Sequence, residues 1–118
     1  MRVVVAGVCV SGKTTLVKSL QKLGIDAYNV AQEHSAIRKL WNSKKPDILV
    51  VLDAKLVTIR QRRVVPWGQE RLVLQHERLV DACEHADLYL QTDDLSKEDV
   101  VRKVLEYIGR NKHVQDYD

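Results

Sequence analysis

The sequence predicts an α/β domain in which a short parallel sheet is covered by helices on both faces, a three-layer α/β/α arrangement. Three observations predict it. The β-branched and apolar runs Arg2–Ala6 and Asp47–Asp53 show no polar alternation, as strands buried on both faces require. Each run is followed by a segment whose apolar residues recur at helical spacing. The alternation of strand and helix continues along the chain, and parallel strands need crossovers of that kind.

The first strand stops at Gly7. From Thr14 onward Leu16, Val17, Leu20 and Leu23 share one helical face, and Gly24 supplies a C-terminal stop. Residues Ile25 to Val30 read as a second strand, after which Ser35 is placed to cap a short helix that turns Ile37, Leu40 and Trp41 inward. The segment 42–46, Asn-Ser-Lys-Lys-Pro, reads as a loop before the central strand Asp47–Asp53.

A basic helix, Leu56 to Arg63, is broken by Pro66-Trp67-Gly68, and Leu72, Leu79, Cys83 and Ala86 trace the apolar stripe of the next helix. The last strand is expected at Ala86–Leu90. Ser96 and Asp99 have the spacing of a capping box, with Leu95 and Val100 as its hydrophobic staple. Val100, Val101, Val104, Leu105 and Ile108 form the buried face of a final helix that is expected to end at Gly109. Residues 1–110 are then one domain, and residues 111–118 a polar tail expected to fray.

With 118 residues, 45% of them hydrophobic, the chain can bury a core without disulfides or a structural metal. Lys plus Arg number 19 against 16 Asp plus Glu, an excess too small to indicate nucleic acid or a membrane surface as the partner. Were nucleic acid bound, Arg38, Lys39, Lys44 and Lys45 would be the residues to do it. Cys9 and Cys83 belong to no paired spacing, and His76, Cys83 and His85 fit no ligand template, so neither a disulfide framework nor a metal site is expected among them. No apolar stretch approaches the ~20 residues of a membrane span, and a cytoplasmic protein is expected.

The chemistry concentrates in Gly7-Val8-Cys9-Val10-Ser11-Gly12-Lys13-Thr14. This octet matches the Gly-x-x-x-x-Gly-Lys-Ser/Thr template and lies between a buried strand and an amphipathic helix, the context in which such a loop cradles phosphate. Backbone N–H groups from Gly7 to Thr15 converge there with the positive end of the helix dipole. Lys13 adds a full charge, Thr14 is placed to offer its hydroxyl to magnesium, and Thr15 can reach a further phosphate oxygen. Val10 is a departure, because a β-branched residue is penalised where a positive φ is needed. Cys9 reads either as a passive small side chain or as a thiol with a pKa lowered by the helix N-terminus.

The order of this loop, the strand 47–53, Arg60, Arg62 and Arg63, and the segment 86–93 resembles the small nucleoside and nucleotide kinases, a superfamily that includes adenylate, shikimate and gluconate kinases. The resemblance implies the P-loop NTPase fold, ATP or another nucleoside triphosphate as ligand, and magnesium. It also implies a lid helix whose arginines close over the donor phosphates, a placement that Arg60 and Arg63 match, with Arg62 as their neighbour. Lys13, Arg60 and Arg63 are accordingly the expected catalytic groups. Glu33 and Asp53 are rival magnesium carboxylates: Asp53 ends an apolar strand, and Glu33 follows the second strand.

The chain departs from that family in having only residues 25–46 where the family has a domain that grips the phosphoryl acceptor. A kinase must hold its acceptor and exclude water. So short a chain therefore calls for a small acceptor, a protein partner or a dimer mate, with Gln32, Glu33 and His34 as the polar cluster nearest to it. The function expected is a minimal ATP-dependent phosphotransferase. The alternative is a nucleotide-binding regulatory module without transferase activity.

Overall fold

The computed structural model describes residues 1–116, with side chains through Arg110. Among these, strands β1 (Arg2–Gly7), β2 (Asp26–Asn29), β3 (Ile48–Asp53) and β4 (Leu88–Gln91) form one sheet in the order β2-β1-β3-β4. All three pairings are parallel. The helices are α1 (Lys13–Lys22), α2 (Leu56–Arg62), α3 (Gln69–Arg78), α4 (Val80–His85) and α5 (Lys97–Asp116). Two tight helical turns, Gln32–His34 and Leu40–Lys44, lie between β2 and β3.

Alternate residues of the two inner strands build separate cores. Val4, Ala6, Leu49 and Val51 pack with Trp41, Ile59, Leu72, Leu79 and Ala82. Val3, Val5, Ile48, Val50 and Leu52 pack with Leu16, Val17 and Leu20 of α1 and with Val100 and Val104 of α5. The sheet thus has helices on both faces, α1 and α5 against one and α2 to α4 against the other. Burial on both sides explains why β1 and β3 carry no polar alternation. Because the strands are parallel, the loops that follow them gather at one edge, and the chain reverses its direction of winding around β1 and β3.

Several local expectations are corrected. Leu23 lies just beyond α1 and is exposed, because the helix closes at Lys22 and Gly24 turns the chain at φ 80°. Ser35 caps no helix; its Oγ accepts from the Ile37 amide at 3.0 Å in a local turn, and Ile37 is exposed. Buried Gln32 organises this stretch, its Nε2 donating to the Ile37 carbonyl (2.6 Å) and its Oε1 accepting from the Trp41 amide (2.9 Å). Trp41 turns inward as expected, while 42–44 belong to a helical turn instead of the expected loop.

The expected single stripe 72–86 is divided at Leu79, whose amide is shared between the Gln75 and His76 carbonyls at 3.1 Å each. That tightening shifts the helical phase, so Ala82 is buried where Cys83 was expected, and Cys83 is exposed. The last strand begins two residues later than expected, at Leu88. The Ser96–Asp99 capping box forms in both directions, 3.2 and 3.0 Å. Gly109 does not end α5, which runs on to Asp116. A glycine costs a helix interior about 1 kcal/mol, and no proline follows to enforce a stop. Residues 111–116 of the polar tail continue α5, and 117–118 lie outside the described residues.

Candidate functional site

The loop from β1 to α1 is held at both ends by glycine geometry. A Cβ on Gly7 would sit 2.2 Å from the Leu52 carbonyl oxygen, so only glycine allows β3 to approach so closely. Gly12 occupies φ 107° as it leads into α1. Between them Val10 is held at φ 62°, a left-handed conformation that costs a β-branched residue roughly 1–2 kcal/mol. Neighbours hold it there: Arg62 donates to the Val10 carbonyl at 3.1 Å, and the Gln75 side chain accepts from the Cys9 amide at 2.9 Å.

No side chain caps the N-terminus of α1. Its first residues Lys13, Thr14 and Thr15 line a cavity of about 560 Å³ that is also bordered by Arg62, Arg63 and Thr92. No acidic residue is among its lining residues. The uncapped helix start, its dipole and two guanidinium groups give this cavity an electrostatic preference for negative charge.

Lys13 is buried with its ammonium bonded to the Gly7 and Val8 carbonyls (2.9 Å each) and to Glu33 Oε2 at 2.6 Å. Glu33 is itself 3% exposed, and Arg78 donates to its carbonyl at 3.3 Å. Of the three arginines, Arg62 and Arg63 border the cavity, whereas Arg60 donates to the Trp67 carbonyl at 3.5 Å and is not among the lining residues. Arg62 also bonds Thr92, which in turn donates to the Ser11 carbonyl at 2.9 Å and ties the loop after β4 to the loop after β1.

Neither carboxylate expected to serve magnesium is among the residues lining this cavity. Asp53 accepts from its own Ala54 amide (2.8 Å) and from the Tyr89 hydroxyl, and lies 2.9 Å from His76 Nε2. Glu33 is paired with Lys13. Thr14, the remaining candidate, borders the cavity, and its Oγ1 accepts from Asn29 Nδ2 at 3.1 Å. A magnesium ion bound with a nucleotide commonly takes few protein ligands and the rest from phosphates and water. One hydroxyl fits that donor set.

On the other side of Lys13, toward β2 and α3, Cys9 Sγ lies 3.2 Å from His34 Nε2 and 3.9 Å from Glu33 Oε2. Burial, and next the Glu33 charge, hold the Cys9 thiol above its ordinary pKa. Of the two readings of Cys9, the thiol with a lowered pKa is not supported, since desolvation and the Glu33 carboxylate outweigh the Lys13 charge. Gln75 and Arg78 escaped the sequence reading because their only signal is polarity on the buried side of an amphipathic helix.

Three of the four basic residues that would serve a nucleic-acid surface, Arg38, Lys39 and Lys44, have partners within the chain. Lys39 and Arg38 reach Asp81 at 3.3 and 3.7 Å, and Lys44 stands over the Tyr28 ring at 5.1 Å. Trp41 donates to Asp81 at 2.8 Å, and Trp67 packs on the core, so both indoles serve packing. No helix among the described residues is long and apolar enough to cross a membrane. No protein-family model matches the chain, and no curated protein matches it significantly.

Proposed function

We propose that the chain is a P-loop protein that binds a nucleoside triphosphate and acts as a minimal phosphotransferase on a small acceptor. The observation that carries this reading is the uncapped start of α1, where Lys13, Thr14 and Thr15 border a cavity with Arg62 and Arg63 and no carboxylate. Phosphoryl transfer is catalysed mainly by positioning and charge neutralisation. The α1 amides and Thr15 would hold the donor phosphates. Arg63, and Arg62 from its anchor on Thr92, would neutralise the transferring group.

Lys13 would exchange its bonds to the Gly7 and Val8 carbonyls for a phosphate oxygen, keeping Glu33 as its counter-charge. Thr14 would hold magnesium, which would supply further neutralisation of the phosphate charge. The cavity volume of about 560 Å³ is in the range of small-ligand sites and suits a nucleotide, ATP or GTP alike.

A second reading, a nucleotide-binding regulatory module without transfer, is favoured by one observation. Between β2 and β3 the chain has only two helical turns and no domain to grip an acceptor. Isothermal titration with ATP and GTP, with and without magnesium, tests binding, with Lys13→Ala and the exposed Arg63→Ala as controls. Magnesium-dependent binding weakened in both variants is expected. No binding by the wild type at millimolar nucleotide would overturn the proposal. Product detection across acceptor classes then separates transferase from module.

A further inference from the structure

Cys9, Glu33 and His34 come from two separate stretches of chain, the β1–α1 loop and the helical turn after β2, yet their ligand atoms form a closed triangle. The edges are 3.2 Å between Cys9 Sγ and His34 Nε2, 3.9 Å between Sγ and Glu33 Oε2, and 3.8 Å between Nε2 and Oε2. Zinc bonds thiolate sulfur at roughly 2.3 Å and imidazole nitrogen or carboxylate oxygen at roughly 2.0–2.2 Å, so a tetrahedral ion holds such atoms about 3.3–3.6 Å apart. The observed triangle needs shifts of only a few tenths of an ångström to close around one.

A second observation concerns the other oxygen of the same carboxylate, not the Oε2 of the triangle. Glu33 Oε1 is buried and has no hydrogen-bond partner, although the residue is 3% exposed. A buried carboxylate oxygen without a partner costs on the order of 1–3 kcal/mol and requires an explanation. Here Oε2 alone answers the Lys13 ammonium at 2.6 Å, leaving the carboxylate with capacity to spare. His34 is half-exposed and provides the entry path.

We propose that Cys9, Glu33 and His34 bind a soft divalent transition-metal ion of the zinc class, with a fourth position left open. The donor set excludes magnesium as the natural occupant, because thiolate and imidazole select softer ions. Binding replaces the Cys9 thiol proton, which leaves to solvent, while neutral His34 ligates through Nε2 and Lys13 supports Glu33 from outside the metal's own ligands. With thiolate, carboxylate, ammonium and a dication together the site keeps a net positive charge, so an anion suits the open position.

A second cluster, Asp81, Glu84 and His85, lacks these properties. The oxygens of Asp81 are already taken by Trp41 and Lys39, and His85 Nδ1 lies against the Asp81 carbonyl at 2.8 Å.

The test uses the whole chain freed of metal by chelation and titrated with cobalt(II) alone, then competed with zinc, without nucleotide. One equivalent of cobalt is expected to give a near-ultraviolet thiolate-to-metal band with the visible bands of a tetrahedral ion, and zinc to abolish both. Cys9→Ser should remove the thiolate band, and His34→Ala should weaken binding by about tenfold or more. Cys83→Ser should change neither. No thiolate band in the wild type, or a band that survives in Cys9→Ser, overturns the site. Because no nucleotide is present, this outcome is independent of whether the chain binds ATP.

Discussion

The Lys13 ammonium is bonded at 2.6 Å to Glu33 Oε2, and both side chains are buried, at 9% and 4% side-chain exposure. One residue comes from the first turn of α1 and the other from the turn after β2. The pair therefore fixes how the β1–α1 loop sits against that edge of the sheet.

Removing one member of a buried ion pair leaves an uncompensated charge, which costs about 3–5 kcal/mol, whereas removing both costs far less per residue. Lys13→Met and Glu33→Leu should each lower stability by about 3 kcal/mol. The double variant should fall well short of their sum. Urea midpoints for the four proteins of this cycle check it, and additive effects would show that the two side chains are not coupled.

Gly7→Ala should unfold the chain or destabilise it by about 3 kcal/mol or more, the upper range for forced overpacking. The new Cβ would meet the backbone oxygen of Leu52 at 2.2 Å, and neither central strand can move away without breaking the β1–β3 ladder. Thermal unfolding followed by circular dichroism gives the answer. A variant with an unchanged midpoint would mean that the two strands are not so closely apposed.

Val10→Gly is expected to be close to neutral, within about 0.5 kcal/mol, because relief of roughly 1–2 kcal/mol of left-handed strain offsets the lost side-chain packing and the added chain entropy. The same substitution at buried Val5, in ordinary strand geometry, has no strain to relieve and should cost about 3 kcal/mol. Comparing the two urea midpoints measures the strain. Under the proposed function, Val10→Gly should also bind nucleotide at least as tightly as the wild type.

Burial raises the Asp93 pKa, but hydrogen bonds from Thr58, the Lys55 amide and Gln91 outweigh it and hold the carboxyl down at about 2. A carboxyl depressed in the folded state stabilises above its unfolded pKa and loses that contribution as pH falls through the folded value. Asp93→Asn should therefore be less stable than the wild type by on the order of 1–2 kcal/mol near pH 7. The difference should begin to shrink below about pH 5 and vanish only below about pH 2. Denaturant midpoints across that range would refute the idea if the gap were independent of pH.

Arg62 and Arg63 border the cavity and Arg60 does not. Under the proposed function, Arg63→Ala should weaken nucleotide binding about tenfold, the loss of one charge-assisted bond, and reduce its salt dependence, while Arg60→Ala changes it little. Titrations at low and high salt distinguish the arginines. Equal losses in both variants would place the phosphates elsewhere.

Much of the architecture was legible because it follows from local pattern. The unbroken apolar runs at 2–6 and 47–53 announced central strands, and the Ser96 box with its staple announced α5. The octet 7–14 stood between strand and helix as its spacing required. What misled was local as well: Gly109 and Ser35 carry strong signals for helix ends, yet one is overridden by a helix with no breaker beyond it. The other is overridden by Gln32, whose buried side-chain amide takes the Ile37 carbonyl and the Trp41 amide, two backbone groups that a helix would have bonded to each other.

The sequence by itself determined the parallel, two-face-buried sheet and the candidacy of Lys13, Thr14 and the arginines, since residue type, period and spacing are properties of short segments. Only the tertiary structure decided that Lys13 pairs with Glu33, that Asp53 turns to His76 and Tyr89, and that Cys9 meets His34. Those partners lie 20 to 36 residues apart and are joined by strand order and by the packing of α3 on the turn after β2. Contacts of that range are set by which strand ends and helices share one edge, and no single segment encodes that arrangement.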